Sequence, residues 1–322
     1  MIDALGVGGG AEHALAGLIP ALGEHGVESS VVCLNPRDGG LQEQLRSAGT
    51  DVVVLGGAPI LEQIRSVRKL IEQQRPDVVH ATIWRSCLVS RFACIGLDVG
   101  LVNSIVNTSY DPVRAASLGI AAWKLALIRW ADRLTIKLVD RVHVLTEAVA
   151  KEAREVLHVP TAKLVVIPRG RSRQALGWRS EERRSAIRRS LGVDDEAFVV
   201  LNVGRQDAQK AQALLVHAFV GVTETVPGAV LLIAGRPGDA SNELEDAIGE
   251  HQLEDSVRLL DHRDDVADLI VAADVFAFPS LYEGLGSVLI EAMALGTPIV
   301  ASDAPALVEV LDQGHSGLIV PR

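Results

Sequence analysis

The chain has 322 residues and a mass of 34.3 kDa, enough for two domains at about 150 residues each. Hydrophobic residues make up 48% of it and charged residues 22%, a composition that buries substantial cores. Its 31 basic residues against 41 acidic ones leave a net charge of −10, which argues against a nucleic-acid binder acting through overall positive charge.

Taken in chain order, short β-branched runs alternate with helical patterns. Strands are expected at Ile2–Leu5, Ser30–Leu34, Asp51–Leu55, Val78–Ala81, Leu101–Val106, Arg141–Leu145 and Leu164–Ile167. A second series follows at Phe198–Val203, Ala229–Ala234, Val257–Leu260, Val275–Phe278, Ile299–Ala301 and Leu318–Val320. Helical patterns lie between them, among them Ala11–His25, Ile60–Gln74, Ala208–Thr225 and Ser287–Leu295. Apolar strands separated by helices imply parallel sheets covered on both faces. Two such series imply an α/β protein of two Rossmann-like doubly wound domains. The expected division is 1–168, a linker and crossover at 169–194, and 195–322. Arginines crowd the linker, which reads as a solvated connection into a helix starting at Ser180, with contact to an anionic partner as the alternative.

The cysteines Cys33, Cys87 and Cys94 include no C-x-x-C pair, so neither a disulfide framework nor a zinc site is expected, and the cytoplasm is the expected compartment. No apolar run approaches the ~18 residues of a membrane span, and no signal peptide is expected. Between Leu118 and Val139, Trp123 and Trp130 share a helical face with Lys124, Arg129, Arg133 and Lys137 nearby. A buried domain helix is the simpler account, and peripheral contact with the inner face of an anionic membrane is the alternative.

In open parallel sheets, ligands bind at the carboxyl ends of strands. Gly6-Val7-Gly8-Gly9-Gly10-Ala11 follows the first strand and fits a dinucleotide fingerprint. The acidic residue that NAD requires is absent at the end of the second strand, where Asn35 and Arg37 stand, so only an NADP-dependent oxidoreductase survives as an alternative. A purely structural glycine turn is the alternative to a ligand-binding loop. After the first strand of the second series, Arg205 and Lys210 flank a loop entering a helix. They can clamp a diphosphate, or be ordinary solvated charges. Further on, Glu283 precedes Gly284 and Gly286, and Glu291 lies about one turn inside the helix that follows. The two carboxylates bracket the free N–H groups of a helix start, an arrangement suited to sugar hydroxyls and phosphate.

This last segment, Glu283-Gly284-Leu285-Gly286 … Glu291-Ala292-Met293-Ala294-Leu295-Gly296-Thr297-Pro298-Ile299-Val300, resembles the signature of retaining glycosyltransferases of family 4. The likeness extends along the chain through Gly8-Gly9-Gly10-Ala11-Glu12, Pro76-Asp77-Val78-Val79-His80, Ile167-Pro168, Val203-Gly204-Arg205 with Lys210, Arg263-Asp264-Asp265-Val266 and Ala272-Ala273-Asp274-Val275. The resemblance implies a GT-B fold, its two domains facing across a cleft, and transfer of a sugar from a nucleotide-sugar such as a UDP- or GDP-sugar. It implies no cofactor or metal, and an acceptor that is a glycan, a lipid-linked molecule or a small molecule. By position, Arg205 and Lys210 would bind the donor diphosphate, Glu291 the ribose and Glu283 the transferred sugar. The N–H groups of Gly284, Leu285, Gly286, Ser287 and Val288 would support sugar and phosphate. Gly9 and Gly10 would close on the phosphates, and His80 would sit near the reacting sugar. No positioned nucleophile stands in the motifs, so a front-face displacement is implied. The same residues without turnover would make a nucleotide-sugar binder.

Three motifs depart from the family pattern: Arg169-Gly170-Arg171-Ser172 for Asn-Gly-Val-Asp, His80-Ala81-Thr82 on the acceptor side, and Gly235-Arg236-Pro237-Gly238 for Gly-Asp-Gly-Pro. Members of the family usually continue past the point corresponding to Arg322 into a helical stretch that packs on the first domain. An exposed apolar seam is therefore expected there.

Overall fold

The computed structural model describes residues 1–6, 10–37, 40–111, 114, 119 and 121–322. The chain divides into two compact units, residues 1–110 with 120–169 and residues 111–119 with 170–322. Each unit is built on parallel strands.

In the first unit β1 (Ser30–Cys33) pairs with β2 (Asp51–Val54), and β3 (Val78–Thr82), β4 (Gly100–Ile105), β5 (Arg141–Val144) and β6 (Leu164–Val166) follow in order. Ile2 joins the two groups by parallel bridges to Cys33 and Thr82. The strand expected at Ile2–Leu5 is thus reduced to a single bridging residue. The chain leaves the ladder at Asp3, whose carboxylate accepts the Ser86 N–H at 2.8 Å. Leu5 is still fully buried. Helices Gly10–Glu24, Gln42–Ser47, Ile60–Gln74, Trp84–Ala93, Ala122–Thr135 and Glu147–Leu157 fill the connections. Exposed apolar side chains also mark this unit, including Val165 and Ile167 at its last strand. All three cysteines are free and buried.

The second unit is a six-stranded sheet in the order β12-β11-β10-β7-β8-β9. Its strands are β7 (Val199–Val203), β8 (Val230–Ala234), β9 (Val257–Leu259), β10 (Val275–Phe278), β11 (Ile299–Ser302) and β12 (Leu318–Val320). Successive side chains of a strand point to opposite faces, and here both faces are buried. Leu201, Leu232, Phe276 and Phe278 enter one core; Val200, Leu231, Ile233 and Ala277 enter the other, under helices Gln212–Thr225 and Ser241–Glu250. Burial of each large side chain contributes about 1.5–3 kcal/mol, which is why these strands read as largely apolar runs.

Most arginines of 169–194 are packed, Arg189 being exposed, which corrects the solvated-linker reading. Ser180 caps helix Glu181–Ser190 by accepting the Arg183 N–H at 3.2 Å. Arg188 is fully buried and donates to Asp274 and to the carbonyls of Ala272, Asp194, Asp195 and Ala197. Arg184 reaches the other oxygen of Asp274 at 2.5 Å, and Arg183 pairs with Asp268 at 2.5 Å. Burial alone would raise the pKa of Asp274. Hydrogen bonds from the Val199 N–H and the two guanidiniums outweigh it and hold the carboxyl below its usual range.

Candidate functional site

The order of the second sheet reverses between β7 and β10, so the loops leaving their carboxyl ends diverge and open the place where doubly wound sheets take ligands. Both expected charge-bearing loops arrive there. The helix expected over Ala208–Thr225 is broken: Ala208–Lys210 form a 3-10 turn, Ala211 takes a left-handed φ of 48°, and the helix proper runs Gln212–Thr225. The break places Lys210 ahead of the helix, where its ammonium pairs with Glu283 from the β10 loop. Its Nζ lies 4.9 Å from the centroid of the Phe278 ring.

Three further contacts fix this pair. A Cβ on Gly204 would stand 3.2 Å from three carbons of the Lys210 stem, so a glycine makes room for the lysine. Gln209 joins the two loops, its carbonyl accepting the Leu281 N–H and its side-chain amide donating to the Tyr282 carbonyl, both at 2.8 Å. Below them, Gln212 donates to Asn202 and Asn202 to the Ala277 carbonyl, each at 2.8 Å, linking helix, β7 and β10. Glu283 itself is buried.

Arg205 is less committed. Its side chain is 64% exposed and pairs with Asp207 at 2.5 Å. Both cations of the expected clamp therefore already carry a carboxylate partner. Gly286 caps helix Ser287–Leu295 in a left-handed conformation and offers no side-chain oxygen to its first N–H groups. Such groups and the helix dipole favour an anion. Gly284, Leu285 and Gly286 are buried, while Ser287 and Val288 are partly exposed. Glu291 accepts from Arg171 Nε at 2.5 Å. Arg173 donates to the Ala294 carbonyl, so residues 171–173 are strapped along the same helix.

His80 and Gly10 belong to the first unit. Gly10 opens helix Gly10–Glu24, with open space around its Cβ position, and Gly9 lies outside the described residues. His80 heads a chain of hydrogen bonds across three strands. Its Nε2 meets Ser104 Oγ at 2.7 Å, Ser104 meets His143 Nδ1 at 2.7 Å, and His143 Nε2 meets the Ile167 carbonyl at 2.9 Å. His80 is exposed as a residue, yet desolvation by the surrounding protein, with the N-terminal ammonium, His143 and Arg169 adding to it, pushes its pKa down to about 4. The same desolvation lowers that of His143. At neutral pH both rings are uncharged. Arg171, Gln209, Ser104 and His143 were not foreseen as parts of these clusters, because no short-range pattern links them to their partners. Among the described residues no group of three or more His, Cys, Asp or Glu could hold a metal ion.

Two family models cover nearly the whole chain: a glycosyl transferase 4-like domain over residues 9–170 and glycosyl transferases group 1 over residues 183–322. The chain belongs to the glycosyltransferase 4-like family. This glycosyltransferase is 32% identical to a D-inositol 3-phosphate glycosyltransferase from Kineococcus radiotolerans over 263 residues, 76% of this chain and 60% of that one. It is 29% identical to alpha-D-kanosaminyltransferase from Streptomyces kanamyceticus over 198 residues, 61% of this chain and 50% of the relative. It thus spans half to three-fifths of the length of these curated relatives. Among solved structures, Anabaena HepE in complex with UDP and glucose superposes with a TM-score of 0.82 at 23% identity, covering 99% of this chain and 84% of the other. Sucrose-phosphate synthase from Thermosynechococcus elongatus does so at 0.80 and 20% identity, covering 99% and 82%. The fold is GT-B, built from two Rossmann-like domains. The family match gives the oxidoreductase alternative no support.

Proposed function

We propose that this glycosyltransferase transfers a sugar from a nucleotide-sugar donor to a hydroxyl of a glycan, lipid-linked or small-molecule acceptor, with retention of anomeric configuration. The observation that carries the proposal is the Lys210–Glu283 pair at the β7/β10 switch point, beside an uncapped helix start that also bears Glu291. The UDP, glucose and UDP-glucose held by the Anabaena relative support such a donor.

Lys210 and Arg205 bind the diphosphate and Glu291 the ribose hydroxyls. Glu283 orients the transferred sugar, with the N–H groups of residues 284–288 beside it. The family resemblance would add Gly9, Gly10 and His80 of the first unit to the donor's phosphate and sugar contacts. The bond from the sugar's anomeric carbon to the diphosphate oxygen breaks, and the acceptor oxygen bonds on the same face. The acceptor's proton passes to the leaving diphosphate. Charge grows on that diphosphate in the transition state, where the fixed cations stabilise it most. They supply this charge without a resident metal.

The test is to incubate the protein with UDP- and GDP-sugars and an acceptor panel, following nucleoside diphosphate release and the anomeric configuration of the product by NMR. Retained configuration and unchanged rates in EDTA are expected; an inverted product or loss of turnover in EDTA contradicts the proposal. The second reading is a donor binder without transfer, built from the same residues. Saturable donor binding with no product from any acceptor would mark it.

A further inference from the structure

We propose that helix Ala122–Thr135 of the first unit, with the turn that follows it, docks this protein on an anionic membrane surface. Trp123, Leu127, Trp130 and Leu134 fall at i, i+4, i+7 and i+11, on one helical face. They are 66%, 57%, 59% and 44% exposed, and Leu138 extends the stripe at 46%. An ordinary surface helix turns its apolar stripe to the core; here Leu125 and Ile128 are on the less exposed side, and a second apolar stripe is left facing solvent. Within this helix the buried residue is Asp132.

Polar bonds hold the helix to its unit from that side. Asp132 is paired with Arg91 and accepts from the Tyr110 hydroxyl at 2.9 Å; Arg91 also donates to Thr135 at 3.0 Å. Arg133 chelates the Val156 carbonyl with two N–H groups, at 2.9 and 3.1 Å. The apolar face is thus anchored facing outward.

The charges decide the occupant. Lys124, Arg129 and Lys137 are exposed around the stripe, while Asp132, the sole acidic residue between positions 122 and 138, is buried in its ion pair. Every exposed charge of the helix is therefore positive, in a chain of net charge −10. Tryptophans settle at the level of lipid headgroups, and lysine and arginine beside them reach anionic phosphates. A second copy fits poorly, since a two-fold interface through this face would set the same cations against each other. No helix among the described residues is long and apolar enough to cross a membrane, so the helix lies on the surface, about 21 Å long at 1.5 Å per residue.

The experiment is co-sedimentation with vesicles of phosphatidylcholine alone and of phosphatidylcholine mixed with phosphatidylglycerol, at low and high salt. Sedimentation is expected with the anionic vesicles at low salt and is lost at high salt or on neutral vesicles. Leu127→Glu with Trp130→Glu, and separately Lys124→Glu with Arg129→Glu, each reduce binding about tenfold or more. All four side chains are exposed, so both variants keep the wild-type melting temperature and nucleotide affinity, which separates failure of this proposal from failure of the donor reading. Wild-type protein left in the supernatant with both vesicles overturns the proposal, as does a Leu127→Glu/Trp130→Glu variant that sediments like wild type. A wild-type dimer in sedimentation velocity that this variant dissolves would assign the face to a second copy instead.

Discussion

Lys210 and Glu283 form an ion pair at the ends of two neighbouring parallel strands, although 73 residues separate them in the chain. The pair exists because three local features converge: a 3-10 turn that ends at Lys210, a glycine that clears a path for its stem, and Gln209, which joins the two loops. A cation and a carboxylate held side by side can meet a diphosphate and the hydroxyls of an attached sugar at once.

Gly286 is required twice over. Its φ is 69°, and a Cβ there would come within 2.8 Å of Leu307 Cδ2. Gly286→Ala therefore loses about 1–2 kcal/mol from backbone strain alone, with crowding in addition. Gly10 has open space at the same position, so Gly10→Ala changes stability by less than about 0.5 kcal/mol. Urea denaturation of the two variants measures the contrast.

Buried and exposed arginines should separate as sharply. Arg188→Ala removes the donor to Asp274 and to four carbonyls around it, and the second unit is expected to lose about 3 kcal/mol. Arg205→Ala breaks an exposed pair with Asp207 and should cost under about 1 kcal/mol, while weakening nucleoside diphosphate binding. A loss of similar size in the two variants would refute the distinction.

Acid should weaken the first unit through His80. Its folded pKa of about 4 lies below the ordinary 6.5. Above pH 6.5 the ring is neutral in both states and carries no penalty. As pH falls from 6.5 toward 4, the unfolded chain binds the proton first, so stability drops across that window and levels off below it. The melting temperature of wild type should thus fall more steeply between pH 7 and 4 than that of His80→Asn. His143, lowered in the same direction, leaves a residual slope in the variant.

Strands such as β10 were legible because residues alternating between two buried faces leave an unbroken apolar run. The Glu283 to Glu291 segment was legible because its glycines, carboxylates and helix fall within one short stretch. Other features depend on partners far away in sequence. The arginines near Arg188 read as solvated until Asp274, 86 residues on, supplied their counter-charge. Glu291 read as open to ligand until Arg171 reached it. His80 and His143 meet only through strand register, with Ser104 between them. The helix expected from Ala208 ignored the left-handed Ala211, since alanine carries no local signal for that conformation. The helix at 122–135 showed its amphipathic pattern plainly, but which face turned inward was set by Arg91, outside the helix.

The central claim is that the β7/β10 mouth grips a diphosphate through Lys210 and a ribose through Glu291. Calorimetric titration of UDP, GDP, ADP and inorganic pyrophosphate into wild type, Lys210→Ala and Glu291→Ala tests it most directly. One nucleoside diphosphate should saturate the wild type. Lys210→Ala should weaken that nucleotide and pyrophosphate alike, on the order of thirtyfold, because a charged hydrogen-bond donor is lost and Glu283 is left uncompensated. Glu291→Ala should weaken the nucleotide about tenfold and leave pyrophosphate, which has no ribose, unchanged. Wild-type affinity for nucleotide and pyrophosphate in Lys210→Ala would contradict the account.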